Sequence, residues 1–184
     1  MTKKIIHVLG LGESLKFFKH DGNVTIGVND INRHFETDYL LMVDPISETS
    51  KEYQTIIGNS NSKFYSQLDE NESFVKNFNK IELARGRGVM DEFDSDRFVY
   101  SITSPFCAVH LAYKLGATDI VMWGVDFNTH RYTFHQDLEP MCKFKQERAL
   151  KDFNNLKKAL NDRNVNFYVG NEISIFSSIL PVFQ

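Results

Sequence analysis

The stretch Tyr100 to Asn128, YSITSPFCAVHLAYKLGATDIVMWGVDFN, constrains this chain most, because it specifies a helix, a short link and a buried strand in immediate succession. Ser104 suits a helix cap, Pro105 the first helical position and Gly116 a left-handed stop, so the pattern predicts a helix over Pro105 to Leu115. Ile120 to Trp123 follows as an apolar run of strand length. It closes on Gly124-Val125-Asp126-Phe127-Asn128, a small residue and then polar ones. Two readings fit that ending: a glycine turn with a solvated aspartate, or a strand tip that delivers Gly124 and Asp126 to a ligand.

Earlier segments repeat the pattern. Lys4 to Leu9 reads as a strand, Gly10-Leu11-Gly12-Glu13-Ser14 follows at once, and Leu15, Phe17 and Phe18 begin a short helix. Amides at such a turn carry partial positive charge and can hold a phosphate, which makes Gly10, Gly12 and Ser14 candidates; a tight structural turn is the other reading. Leu15 stands where a dinucleotide fingerprint has its third glycine. Val24 to Val28 ends at Asn29, and Tyr39 to Val43 ends at Asp44. In a parallel sheet all carboxyl ends lie along one edge, so Gly10 to Ser14, Asn29, Asp44 and Asp126 would converge on one crevice. With 184 residues and 42% hydrophobic content, the expectation is a single α/β domain, Rossmann-like, with a mainly parallel sheet flanked by helices.

The remaining elements are read from periodicity. Tyr53 to Ile57 closes a helix, Lys63 to Tyr65 makes a short strand, and Glu72 to Phe78 reads as a polar helix with Phe74 and Phe78 four apart. Phe144, Ala149, Leu150, Phe153, Leu156 and Leu160 recur at helical spacing, which predicts a long amphipathic helix to about Asn161. Val165 to Val169 is a last strand, and Ile173 to Leu180 a terminal helix stopped before Pro181. Ala84 to Val89, with Arg85 and Arg87 among glycines, is a mobile surface loop or else a lid touching the acceptor.

Charge and composition exclude several classes. A net charge of −3 leaves no overall nucleic-acid footprint. The start of the chain has neither a signal-peptide cleavage pattern nor a membrane-spanning run of about 20 residues, so a cytoplasmic, unprocessed protein is expected. Cys107 and Cys142 have no metal-ligand spacing and fit a reducing compartment. The loop after Asn128 carries His130, Tyr132 and His135; a five-residue histidine spacing is no helix-face pair, and a general base suits it better than zinc. His7 and His110 fall inside a strand and a helix and read as core residues.

Two segments carry a family resemblance. KKIIHVLGLGESLK resembles the opening of the sialyltransferase-like family 42 glycosyltransferases, a strand followed by Gly-x-Gly-x-Ser-Leu-Lys. VYSITSPFCAVHLAYKLGATDIVMWGVDF is similar to their Thr-Ser, helix, Leu-Gly-x-x-x-Ile and Gly-(Ile/Val)-Asp-Phe segment. The likeness spans nearly the whole chain, is weakest in Ile46 to Phe98, and is shared more distantly by the MptE-like pterin pyrophosphokinases. Four departures stand out: Pro105 replaces a glycine, Glu13 a proline, Asn128 a second tyrosine, and the long lid before the catalytic histidine is nearly absent.

The resemblance implies metal-independent transfer of a sugar from a nucleotide-sugar donor, with no cofactor beyond that donor. Carried over by motif, Gly10, Gly12 and Ser14 would meet the phosphate or ribose, and Gly124 and Asp126 would lie at the same edge. Asn29, Asp44, Thr103 and Ser104 would match the polar strand ends and the Thr-Ser at the helix start. Tyr132 would stabilise the leaving phosphate and a histidine would be the base, His135 being assigned and His130 the alternative. The acceptor would be a saccharide or a hydroxymethylated base in viral DNA, the Arg85 to Arg87 loop favouring DNA; the chain may be oligomeric. A pyrophosphokinase with Asp44 and Asp126 as magnesium ligands and a non-catalytic nucleotide-binding module are the competing classes.

Overall fold

The apolar run Ile5–Leu9 forms β1 at the interior of the sheet, in a computed structural model that describes residues 2–44, 50–67, 75–129 and 140–184. From β1 the chain steps outward through β2 (Val24–Val28), β3 (Tyr39–Met42), β4 (Lys63–Ser66) and β5 (Phe78–Lys80), with helix α1 (Lys51–Asn59) before β4. Helix α2 (Ser104–Lys114) then carries it back across the sheet to β6 (Asp119–Trp123) on the other side of β1, and α3 (Lys143–Asn161) leads to β7 (Asn166–Val169). The described residues thus form a seven-stranded sheet in the order β5-β4-β3-β2-β1-β6-β7, and every neighbouring pair is parallel. The outward steps reverse direction between β1 and β6, and the carboxyl ends of such strands open a crevice between them.

Two buried clusters hold the layers. Ile6, Val8, Ile26, Ile120 and Met122 pack with α2 and α3 side chains such as Phe106, Val109, Phe153 and Leu156. Leu9, Leu40, Met42 and Phe64 pack with Tyr53 and Ile57 of α1 and with Leu15. The strands are apolar in both directions because the sheet is covered on both faces.

Helix α2 is nearly apolar throughout, and its one buried imidazole is satisfied within the core. His110 is 0% exposed; its Nδ1 accepts from the Val99 N–H at 3.1 Å and its Nε2 bonds the Phe93 carbonyl at 2.8 Å. That pairing needs a neutral ring, and burial pushes the pKa down to about 4 from 6.5, against the Phe93 bond that raises it and with Lys114, Asp94 and Arg163 nearby. The unfolded chain binds this proton below 6.5 and the native chain only near 4. The stability it represents, on the order of 3 kcal/mol, is therefore complete above pH 6.5 and is lost as pH falls toward 4. In urea titrations at pH 7 and pH 4.5, His110→Gln should lose less stability on acidification than the wild type; equal losses would remove His110 as the source.

Three sequence expectations change. Helix α2 begins at Ser104 rather than Pro105; Thr103 holds the cap position without a side-chain cap bond, so Ser104 is not the cap. Phe78 lies in β5, not in a helix, because pairing with β4 (Phe64 opposite Phe78) outweighs the local four-residue spacing; residues 72–74 of that expectation lie outside the described residues. The terminal helix is only a short 3-10 turn, Ile175–Ser178, since the tail is drawn back onto β7 by the Val169 N–H to Pro181 carbonyl bond and the Val169–Val182 bridge.

Candidate functional site

At the carboxyl ends of β1 and β6 two glycine turns pack backbone against backbone. The Gly10 N–H donates to the Trp123 carbonyl at 2.8 Å and the Gly12 N–H to the Gly124 carbonyl at 2.7 Å. A Cβ on Gly12 would stand 2.6 Å from an Asp126 carboxylate oxygen, and one on Gly10 3.1 Å from the Gly124 carbonyl carbon. Ser14 completes the junction: its N–H donates to Asp126 Oδ2 at 2.6 Å, its hydroxyl donates to Oδ1, and it accepts from the Gly124 N–H at 2.7 Å. Burial raises the Asp126 pKa, opposed by these Ser14 bonds.

This lock changes what the turn can offer a ligand. The amides of Gly10, Gly12 and Ser14 are already engaged, and Ser14 is 1% exposed. The Leu11 and Glu13 N–H groups have no acceptor among the described residues, and Leu11 lines the crevice beside Gly10, Gly12, Gly124 and Asp126. The glycines therefore serve close approach of two chain segments, and an anion at the turn would be met by the amides between them.

The crevice has a volume of about 1000 Å³, and Asn29, Asp44, Thr103 and Ser104 line it together with the glycine junction. Asn29 sits at φ 52, a left-handed conformation at a strand tip that costs backbone energy, and its carbonyl accepts from the Tyr53 hydroxyl. Asp44 is exposed at the tip of β3. Thr103, Ser104 and Pro105 bring the start of α2 to the wall, so the positive end of its dipole faces the space where the helix lacks a side-chain cap.

Of the remaining wall, the sequence pointed only to the arginine-glycine loop that carries Arg87. Arg87, Lys145 and Arg148 line that wall. Asp152, 2% exposed, accepts from the Ser101 hydroxyl and from Arg148 Nε at 3.0 and 3.1 Å, while Arg148 Nη2 donates to the Arg87 carbonyl at 3.3 Å. The Gly88 N–H donates to the Tyr100 carbonyl at 2.8 Å, so the Arg-Gly-Arg-Gly segment is fastened to the wall and is not a free surface loop. One signal was available: Asp152 interrupts the apolar face that Ala149, Phe153 and Leu156 make on α3.

His130, Tyr132 and His135 lie outside the described residues. Their flanks meet at the crevice: Thr129 and Pro140 form an isolated antiparallel bridge, and Thr129 and Met141 line the wall. Asn128, which departs from the tyrosine of the resemblance, donates its side-chain amide to the Ile173 carbonyl at 2.7 Å. Among the described residues no group of three or more His, Cys, Asp or Glu side chains is placed to hold a metal ion, and no helix is long and apolar enough to cross a membrane.

No protein-family model and no curated protein matches the chain. Solved structures do. The sialyltransferase CstII from Campylobacter jejuni, solved with cytidine-5'-monophosphate, superposes with a TM-score of 0.64 at 17% identity over 98% of this chain and 85% of its own. The monofunctional α-2,3-sialyltransferase Cst-I from Campylobacter jejuni gives 0.62 at 15% identity, over 98% and 80%. The MAf glycosyltransferase from Magnetospirillum magneticum AMB-1 gives 0.60 at 12% identity over 95% of this chain but only 33% of that one. At these identities the likeness establishes the fold: a single parallel-sheet, Rossmann-like domain of the kind these glycosyltransferases share.

Proposed function

We propose that the protein is a glycosyltransferase of the cytoplasm that moves a sugar from a nucleotide-sugar donor to an acceptor hydroxyl without a metal ion. The observation that carries this reading is the crevice at the reversal between β1 and β6, in a fold that superposes along nearly its whole length on a sialyltransferase solved with CMP. The donor lies across the strand ends, its phosphate near the Leu11 amide and the start of α2, its nucleoside toward Asn29 and Asp44. His135, or else His130, takes the proton of the acceptor hydroxyl, and Tyr132 steadies the departing phosphate. The acceptor is a saccharide, as in the CST-II complex with a trisaccharide acceptor and CMP, or a hydroxymethylated base in DNA.

The pyrophosphokinase reading is less well supported, because both Asp126 oxygens accept bonds from Ser14 and the carboxyl pKa is raised, which ill suits a magnesium ligand. Incubating the protein with a panel of nucleotide sugars, with and without EDTA, tests the proposal. Release of nucleoside phosphate should occur with at least one donor and persist in chelator. Activity abolished by EDTA and restored by magnesium would move the assignment to a metal-dependent reaction.

A binding prediction follows from the wall. Because Asn29 is at positive φ, glycine removes its amide without adding backbone strain, whereas alanine keeps the strain. Asn29→Gly should weaken donor binding roughly threefold to tenfold, the scale of one neutral bond, and Asp44→Ala roughly tenfold or more, the scale of a charge-assisted one, with little change in the thermal midpoint. Calorimetric titration of a donor from the panel decides it; unchanged affinity in both variants would put the nucleoside elsewhere.

A further inference from the structure

We propose that the α3 side of the crevice is a second anion subsite, in which Arg87 and Arg148 receive an acidic group of the donor beyond its first phosphate, either a second phosphate or a carboxylate on the sugar. The inference rests on the nucleotide-sugar reading and extends it to the donor's class.

Arg87 is the main reason. It is exposed on the crevice wall between Gly86 and Gly88, both at positive φ, and it has no carboxylate partner among the described residues. Its guanidinium lies 5.9 Å from the Tyr100 ring centroid, its carbonyl is bonded by Arg148, and the next peptide is bonded to the Tyr100 carbonyl. A Cβ at Gly88 would stand 2.6 Å from Asp152 Oδ1, so only glycine lets the segment lie this close to α3. The cost of ordering the chain around this cation is thus met before any ligand arrives, which is the condition for tight anion binding.

Arg148 supplies the second fork. Its Nε side is committed to the buried Asp152 and one Nη2 hydrogen to the Arg87 carbonyl, leaving further guanidinium N–H groups on a residue that lines the crevice. Asp152 acts as a positioning residue: paired with Arg148 and the Ser101 hydroxyl, it fixes the arginine without reaching the crevice itself. Ser101 stands only two residues before Thr103, so this anchor is within about 7 Å, along the backbone, of the α2 cap residue. The start of α2 and both arginines line the same crevice, and guanidinium forks match phosphate or carboxylate oxygens in pairs.

Calorimetric titration compares ligands that differ by one acidic group: UMP with UDP, CMP with CDP, GMP with GDP, and CMP-N-acetylneuraminate with its carboxyl methyl ester. In the wild type at least one pair should show the more acidic member binding roughly tenfold or more tightly, the scale of a charge-assisted fork. Arg87→Gln, a surface change, should reduce that gap to less than about threefold while mononucleotide affinity is retained. Arg148→Lys, which keeps a cation for Asp152 but loses the fork, should shrink it too. A gap in a diphosphate pair identifies a second phosphate; a gap confined to the sugar-acid pair identifies a carboxylate. No gap in the wild type, or a gap that survives both variants, overturns the subsite while leaving the crevice a nucleotide site. If neither member of any pair binds, the nucleotide-sugar reading fails with it.

Discussion

Alanine at Gly124 is expected to cost roughly 3–5 kcal/mol, whereas alanine at Gly116 should cost only about 1–2 kcal/mol, although both glycines have positive φ. Gly116, at φ +81, ends α2 in open space, with nothing within 4 Å of an added Cβ. Its replacement meets only the backbone penalty of a left-handed residue. Gly124, at φ +65, carries the same penalty, but its Cβ would stand 2.7 Å from the Gly10 carbonyl carbon, 2.9 Å from Leu15 Cβ, and closer still to the Gly10 oxygen. The two Gly10 atoms are backbone just past β1 and cannot rotate away, so the Gly12–Gly124 bond and the Ser14–Asp126 pair must shift with them. Domains of ordinary stability hold about 5–15 kcal/mol, so Gly124→Ala removes a large part of it. Urea titrations of the two variants measure the difference. Equal losses would mean that contact between the two turns is not what demands glycine at 124.

The same residues show which parts of the molecule a sequence can disclose. The segment from Thr103 to Trp123 was legible because each boundary has its own local chemistry: proline at the start of α2, glycine at its end, and β-branched residues in β6. Residue Phe78 was misread because a four-residue aromatic spacing mimics a helix, while the decisive partner, Phe64, lies in β4. At the site, Gly10, Gly12, Asn29, Asp44 and Asp126 were legible as strand ends, since a parallel sheet brings all such ends to one edge. What they do there was not. That Gly12 is spent on the Gly124 carbonyl and Ser14 on Asp126 depends on partners more than a hundred positions away. The Ser101–Asp152–Arg148 network escaped for the same reason, its parts being separated by about fifty residues of chain.

His135→Ala is expected to lower turnover roughly 10²- to 10⁴-fold with donor affinity retained, whereas His130→Ala should mainly weaken donor binding. Position along the chain, and the points at which the chain is held, separate the two histidines. Asp126 and the bonded Asn128 fix the exit from β6, and Thr129 pairs with Pro140 at the crevice wall, so residue 130 directly follows a fastened point. His130 follows Asp126 by only four residues of chain, and for that reason it is assigned to donor binding. His135 is five residues further along the chain and five before Pro140, and it is assigned as the base. A neutral imidazole can accept the acceptor's proton, and removal of such a base costs rate while the donor still binds. Measuring single-turnover rates and donor affinity for both variants separates the roles. Wild-type turnover in His135→Ala would eliminate it as the base, and a large rate loss confined to His130→Ala would reverse the assignment.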